Sequence, residues 1–191
     1  MKFINLICIL VIITFSGSSA AGEKFALDSQ HGHFAWNVKQ TGHLLKQGQW
    51  PATGTLVVDK INPAKNYLEA KIAIDDITTG DDELDSQLKL LSSLNSHFAY
   101  ANFTSNHIKF ITENNAIIQG RIHLFGMSIP VTLHAHFTPP SIALPMQMKT
   151  LAFQATTLFK IKQLPPILQP KNISPRDQFE LEVNASLKLT A

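Results

Sequence analysis

The sequence predicts one all-β domain: an antiparallel β-barrel of about eight strands with one helix, around residues 81–91, packed at the barrel. Three observations predict it. Apolar and polar residues alternate with period two along much of the chain, short turn-forming clusters separate the alternating runs, and a single segment carries a helix start signal followed by leucines at helical spacing. No internal repeat or composition shift divides residues 22–191, which read as one domain.

The first residues have the form of an export signal. Lys2 supplies a short positive region, Phe3 to Phe15 form an apolar run, and Ser16, Gly17, Ser18, Ser19, Ala20 and Ala21 follow as small residues. The apolar run is shorter than the roughly 20 residues that a membrane helix needs. Residues 1–21 are therefore expected to be a cleaved signal peptide, with an uncleaved anchor as the alternative, and the destination is the periplasm or the extracellular space. The lone cysteine, Cys8, lies in this run, preceded by Asn5, Leu6 and Ile7 rather than by the small residues of a lipoprotein box. Cleavage leaves about 170 residues without cysteine, which excludes a disulfide framework, a redox thiol and a thiolate metal site. Loss of Lys2 lowers the formal charge from +2 to about +1, and Arg121 and Arg176 are the only arginines. No basic run exists to bind nucleic acid.

The strands follow in order. "HFAWNV" sets Phe34, Trp36 and Val38 on one face, and "YLEAKIAI" sets Leu68, Ala70, Ile72 and Ile74 opposite Tyr67, Glu69 and Lys71. "IIQGRIHLFG" and "PVTLHAHF" continue the alternation with Ile118, Gly120, Ile122 and Leu124, then Val131, Leu133, Ala135 and Phe137; "FELEVNASLKL" repeats it near the C-terminus. Such runs are half-buried antiparallel strands with one dry face. Asn62-Pro63, Asn114-Asn115 and Phe125-Gly126-Met127 read as the turns between neighbours. Phe103 and Ser105 have the opposite parity to Ile108 and Phe110, which a bulge near Asn106 would reconcile. The proline-rich stretches 138–145 and 163–175 cannot be central strands, because proline lacks the ladder donor. The second is also apolar, through Leu164, Ile167, Leu168 and Ile173, and reads as a packed cap over a barrel mouth.

Two constellations invite a chemical reading. "DDITTGDDELDSQLKLL" holds Asp75, Asp76, Asp81, Asp82, Glu83 and Asp85, six of the fourteen acidic residues. As a calcium loop it fails, because alternate positions bring Ile77 and Thr79 and the closing position is Ser86. As a helix start it works: Asp81 is the expected N-cap, Asp82, Glu83 and Asp85 sit at the positive end of the dipole, and Leu84, Leu88 and Leu91 form one stripe. His123, His134 and His136 share one outward parity and could hold zinc, but that face is the wet one and no fourth ligand is evident. No metal site is expected. No nucleophile elbow, zincin motif, P-loop or dinucleotide fingerprint occurs, so no catalytic residue is assigned.

The succession of motifs is similar to the YceI-like family. It runs through Asp28 and His31, Phe34/Trp36/Val38, Gly48 and Trp50, Thr79-Gly80 with Asp85 and Leu88, and Phe103 with Ser105. Gly120-Arg121-Ile122-His123-Leu124-Phe125-Gly126 and Pro130-Val131-Thr132-Leu133 complete it. The resemblance covers residues from about 25 to 190 and implies an exported, lipocalin-like barrel that binds polyisoprenoids. The chain departs from the family pattern at Gly32, at Gln40, at Ser92-Ser93-Leu94-Asn95, at Phe98-Ala99 and in the proline-rich loop near 140. These departures bear on ligand identity more than on fold.

An apolar tunnel would suit that role. Phe34, Trp36, Val38, Leu56, Leu68 and Ile72 would line one part, and Ile122, Leu124, Leu133 and Phe153 another, with Leu88 and Leu91 of the helix closing an end. The same residues could instead fill a closed core, and alternation alone leaves both open. The resemblance favours the pocket, implying a periplasmic carrier of a long isoprenoid-like chain, polyprenyl or quinone-type, with no cofactor beyond that lipid. Expected partners are the lipid, a second copy of the chain, and a membrane or membrane redox protein met transiently. The alternatives are an enzyme on the same barrel, for which Asp28 and His31 are the only candidate pair, or a stress-related accessory protein with a filled core.

Overall fold

The period-two runs fold into one antiparallel sheet of ten strands among the described residues of the computed structural model, which are 22–27, 34–40, 43–138, 150–169 and 178–190. The strands are β1 (Glu23–Leu27), β2 (Phe34–Gln40), β3 (His43–Trp50), β4 (Thr53–Val58), β5 (Tyr67–Ala73), β6 (Tyr100–Phe110), β7 (Asn115–Leu124), β8 (Met127–Thr138), β9 (Thr150–Lys160) and β10 (Gln178–Thr190), with helix α1 at Asp82–Leu94. Strands β4 to β10 form a meander, and β1 pairs with both β4 and β10 to close a barrel of eight. Closure leaves those eight no free edge.

The thirteen-residue β10 serves two neighbours. Its C-terminal part, Leu187–Thr190, pairs with β1, while Glu180–Asn184 pair with β2. The β2–β3 hairpin thus continues the line of β1 and β4 along the wall. Among the described residues β3 pairs only with β2, and β5 pairs with β4 and β6, so the wall parts between β3 and β5 at this end.

The expected bulge is present. Ser105 faces Gly120 and His107 faces Gln119, leaving Asn106 as the extra residue, so Phe103, Ser105 and Ile108 all project inward. The Ser105 hydroxyl oxygen accepts from the Leu68 amide at 2.7 Å, satisfying a buried donor inside the wall. Between β7 and β8 the turn residues Phe125 and Gly126 have φ of 48° and 75°, the left-handed pair that a two-residue hairpin demands. The helix runs three residues beyond its expected end. The Ser93 hydroxyl donates back to the Leu90 carbonyl, the Ser92 hydroxyl shares its one proton between Asp75 and the Lys89 carbonyl, and Asn95 ends the helix by accepting from the His97 amide.

One end of the barrel is solid. Leu56 and Ile118 are fully buried there, and Phe110, Phe137 and Phe153 form a chain of rings with centroids 5.8 Å and 5.4 Å apart.

Candidate functional site

The other end is hollow. A cavity of about 820 Å³ opens where the wall parts, within the roughly 300–1,000 Å³ typical of pockets that enclose small ligands. Its sides are Ile72, Phe103, Ile122, Ile129, Phe159 and Leu181, inward positions of six barrel strands. The parted wall holds the opposing sheets apart, so side chains that would meet in a closed barrel face empty space instead.

Two segments cover this end. Helix α1 turns Leu84 and Leu88 into the cavity, with Leu88 almost fully buried. The link between β9 and β10 makes two 3₁₀ turns, Ile161–Gln163 and Pro166–Leu168, and presents Leu164, Ile167 and Leu168. Residues 163–169 of the proline-rich stretch are thus a packed apolar cap; 170–175 and 139–145 lie outside the described residues. Trp50 fills part of the breach, its indole nitrogen donating to the Thr78 carbonyl at 3.1 Å.

The acidic stretch is committed to positioning the helix. Asp81 Oδ1 accepts from the amides of Glu83 and Leu84, both at 3.1 Å, as an N-cap does. Asp85 Oδ1 accepts from the Thr79 amide at 2.8 Å and from its hydroxyl at 2.7 Å, locking the preceding turn. Asp75 takes the Ser92 hydroxyl.

The residues expected to line a tunnel divide by height. Val38, Ile72, Leu88, Ile122 and Leu124 line the cavity. Leu56, Leu68 and Phe153 are buried in the solid core, and Leu133 packs against it half-buried. Leu91 is half-buried on α1 without reaching the cavity. The Phe34 and Trp36 side chains, and Asp28 and His31, lie outside the described residues. Cavity residues absent from the expected lining include Trp50, Phe103, Phe125, Ile129 and Phe159. Phe159 extends the parity of Phe153, Ile129 that of Val131 and Ile74 that of Ile72, so the strand pattern could have found them; Ile77 follows the 3₁₀ turn Ile74–Asp76, which interrupts the pattern.

The three histidines do not form one site. All are exposed, but His123 pairs with Ser128 while His134 pairs with Ile117, six residues and roughly 20 Å further along β8. His136 instead meets the side-chain oxygen of Asn115 at 2.9 Å. Among the described residues no group of three His, Cys, Asp or Glu side chains could hold a metal ion.

On the outer face Lys39 of β2 pairs with Glu182 of β10 at 2.5 Å, tying the hairpin to the barrel. The Lys39 hydrogen bond, then that from Asn184, hold the Glu182 carboxyl down at about 2, and the same pair raises Lys39.

A family model of the YceI-like domain matches residues 25–187. A UPF0312 protein of Yersinia enterocolitica is 28% identical over 130 residues, 66% of this chain and 67% of the relative. Among solved structures, Burkholderia cenocepacia BcnA superposes with a TM-score of 0.59 at 16% identity, covering 86% of this chain and 99% of that one. A structure described as a polyisoprenoid binding domain from Saccharophagus degradans, implicated in plant cell wall breakdown, gives 0.51 at 12% identity, covering 87% and 98%.

Proposed function

The chain belongs to the YceI-like domain family, and from that premise we propose that it is an exported carrier holding a long isoprenoid-like chain, polyprenyl or quinone-type, in the barrel cavity. The cavity itself carries this reading: about 820 Å³ of space with predominantly aliphatic and aromatic walls. The polyisoprenoid-binding description of the Saccharophagus neighbour supports the same class of ligand. Export rests on the character of residues 1–21 and suits a carrier that meets its lipid outside the cytoplasm.

The energetics are adequate without a covalent or metal anchor. Each buried methylene contributes about 0.8 kcal/mol, so ten contribute about 8 kcal/mol. A chain of twenty carbons contributes about 16 kcal/mol, which exceeds the roughly 4–15 kcal/mol cost of immobilising a ligand by little enough for binding to stay reversible.

Native mass spectrometry and lipid extraction of the full chain, expressed with export, test the reading. A co-purifying apolar chain is expected, and Ile72→Trp, which narrows the cavity, is expected to weaken its retention. Absence of any lipid, together with failure of the purified protein to take up an added prenyl chain, would overturn the proposal.

A further inference from the structure

The rim of the cavity has a chemical bias of its own. Thr79, Asp81, Glu83, Gln87, Asn102 and Gln169 supply its polar side chains, and among the described lining residues there is no Lys, Arg or His. Several of the donors on this rim are already engaged inside the protein. The Thr79 hydroxyl donates to Asp85, the Gln87 amide to Glu83 at 3.3 Å, the Gln169 amide to the Leu164 carbonyl at 2.7 Å, and the Trp50 indole to Thr78.

The acceptors are left over. Asp81 uses Oδ1 for both cap bonds, which leaves Oδ2, and Glu83 accepts through Oε1, which leaves Oε2. Gln87 and Gln169 add their amide oxygens to the same lining. Asn102 and the second amide hydrogens of Gln87 and Gln169 remain as neutral donors among the described lining residues, and each amide brings its own acceptor with it. The Glu83 and Leu84 amides of the first helical turn, the usual attraction for an anion, are taken up by the Asp81 carboxylate.

Resting on the carrier reading above, we infer that this cavity selects chains whose head group donates hydrogen bonds, such as an alcohol, an amine or a quinol, and discriminates against heads ending in carboxylate or phosphate. A donating head finds unspent carboxylate and amide oxygens at the rim. Among the described lining residues an anionic head finds neutral amide donors but no cation, and it meets two carboxylates as it approaches.

Displacement of an uncharged fluorescent hydrocarbon probe by a matched set of twenty-carbon prenyl chains tests this on the full chain. The set comprises the headless hydrocarbon, the alcohol, the primary amine, the carboxylate and the monophosphate. The alcohol and amine are expected to bind about fivefold or more tightly than either anion, the scale of one partly exposed charge interaction. Glu83→Gln and Asp81→Asn are expected to narrow that gap by strengthening anion binding, read as the ratio of anion to hydrocarbon affinity within each variant. Asparagine still caps a helix, and Glu83→Gln removes no cap, so the two variants check one another. Equal or tighter binding of the anions by the native chain, or a gap that both variants leave unchanged, would overturn the head-group inference alone. Failure of the hydrocarbon and probe to bind would overturn the carrier reading together with it.

Discussion

Phe103 lies across the bare Cα of Gly120: a Cβ at that glycine would sit 2.6 Å from the ring's Cζ and 2.6 Å from the Thr104 carbonyl oxygen. The ring packs against both buried clusters of the barrel and also lines the cavity, so it forms the floor between solid and hollow ends. Gly120 therefore sets how low that floor can lie.

Gly120→Ala is expected to destabilise the protein by about 1–3 kcal/mol, the range for forcing atoms into a packed interior. The ring contact is relieved by tilting Phe103 into the cavity, while the Thr104 oxygen contact yields only to a shift of the β6–β7 backbone, which is the source of the cost. Urea denaturation reads the stability, and lipid stoichiometry reads the lost volume; unchanged values of both would contradict this account of the floor.

Truncations at the two ends should separate folding from binding. Leu56→Ala, in the solid end, is expected to cost roughly 3–5 kcal/mol with ligand affinity nearly intact. Leu88→Ala borders space that is already empty and should cost nearer 2 kcal/mol while weakening ligand retention. Paired thermal melts and probe titrations would show the contrast, and equal effects on binding would count against a divided interior.

Phe125 occupies a left-handed turn position that favours Asn, and its ring is held edge-on by Phe98 with centroids 5.9 Å apart. Phe125→Asn relaxes the backbone but removes an aromatic wall of the cavity. Stability is expected to change by less than about 1 kcal/mol, since the two effects oppose. Ligand dissociation should accelerate, measured by transfer of a fluorescent chain to acceptor vesicles.

The Lys39–Glu182 pair gives stability a sign with pH. Glu182 is held at about 2, below its usual 4.5, so its contribution is full above 4.5 and is lost as pH falls toward 2. Lys39 is raised, so its share is full below 10.5 and is lost at higher pH. Glu182→Gln should lower the melting temperature at pH 7 by a few degrees at most, because the pair is partly solvated, and the difference should shrink as the pH approaches 2.

Much of this architecture was legible before folding. Asp81 is the N-cap that its position ahead of an acidic first turn predicted, and the parity conflict around Asn106 did mark a bulge. The site was legible only in outline. Ile72, Ile122, Leu56 and Phe153 carry the same inward parity, yet the first two border empty space and the last two are core.

Alternation by itself determined which face of each strand is dry, because a side chain's face depends only on its own strand's pleat. How far opposite walls stand apart is a different kind of quantity. It depends on β10 dividing its length between β1 and β2, on β3 stopping short of β5, and on where α1 and residues 161–169 come to rest. These are relations between segments far apart in the chain. Only the tertiary structure decided that one end of the barrel is filled and the other is open to a ligand.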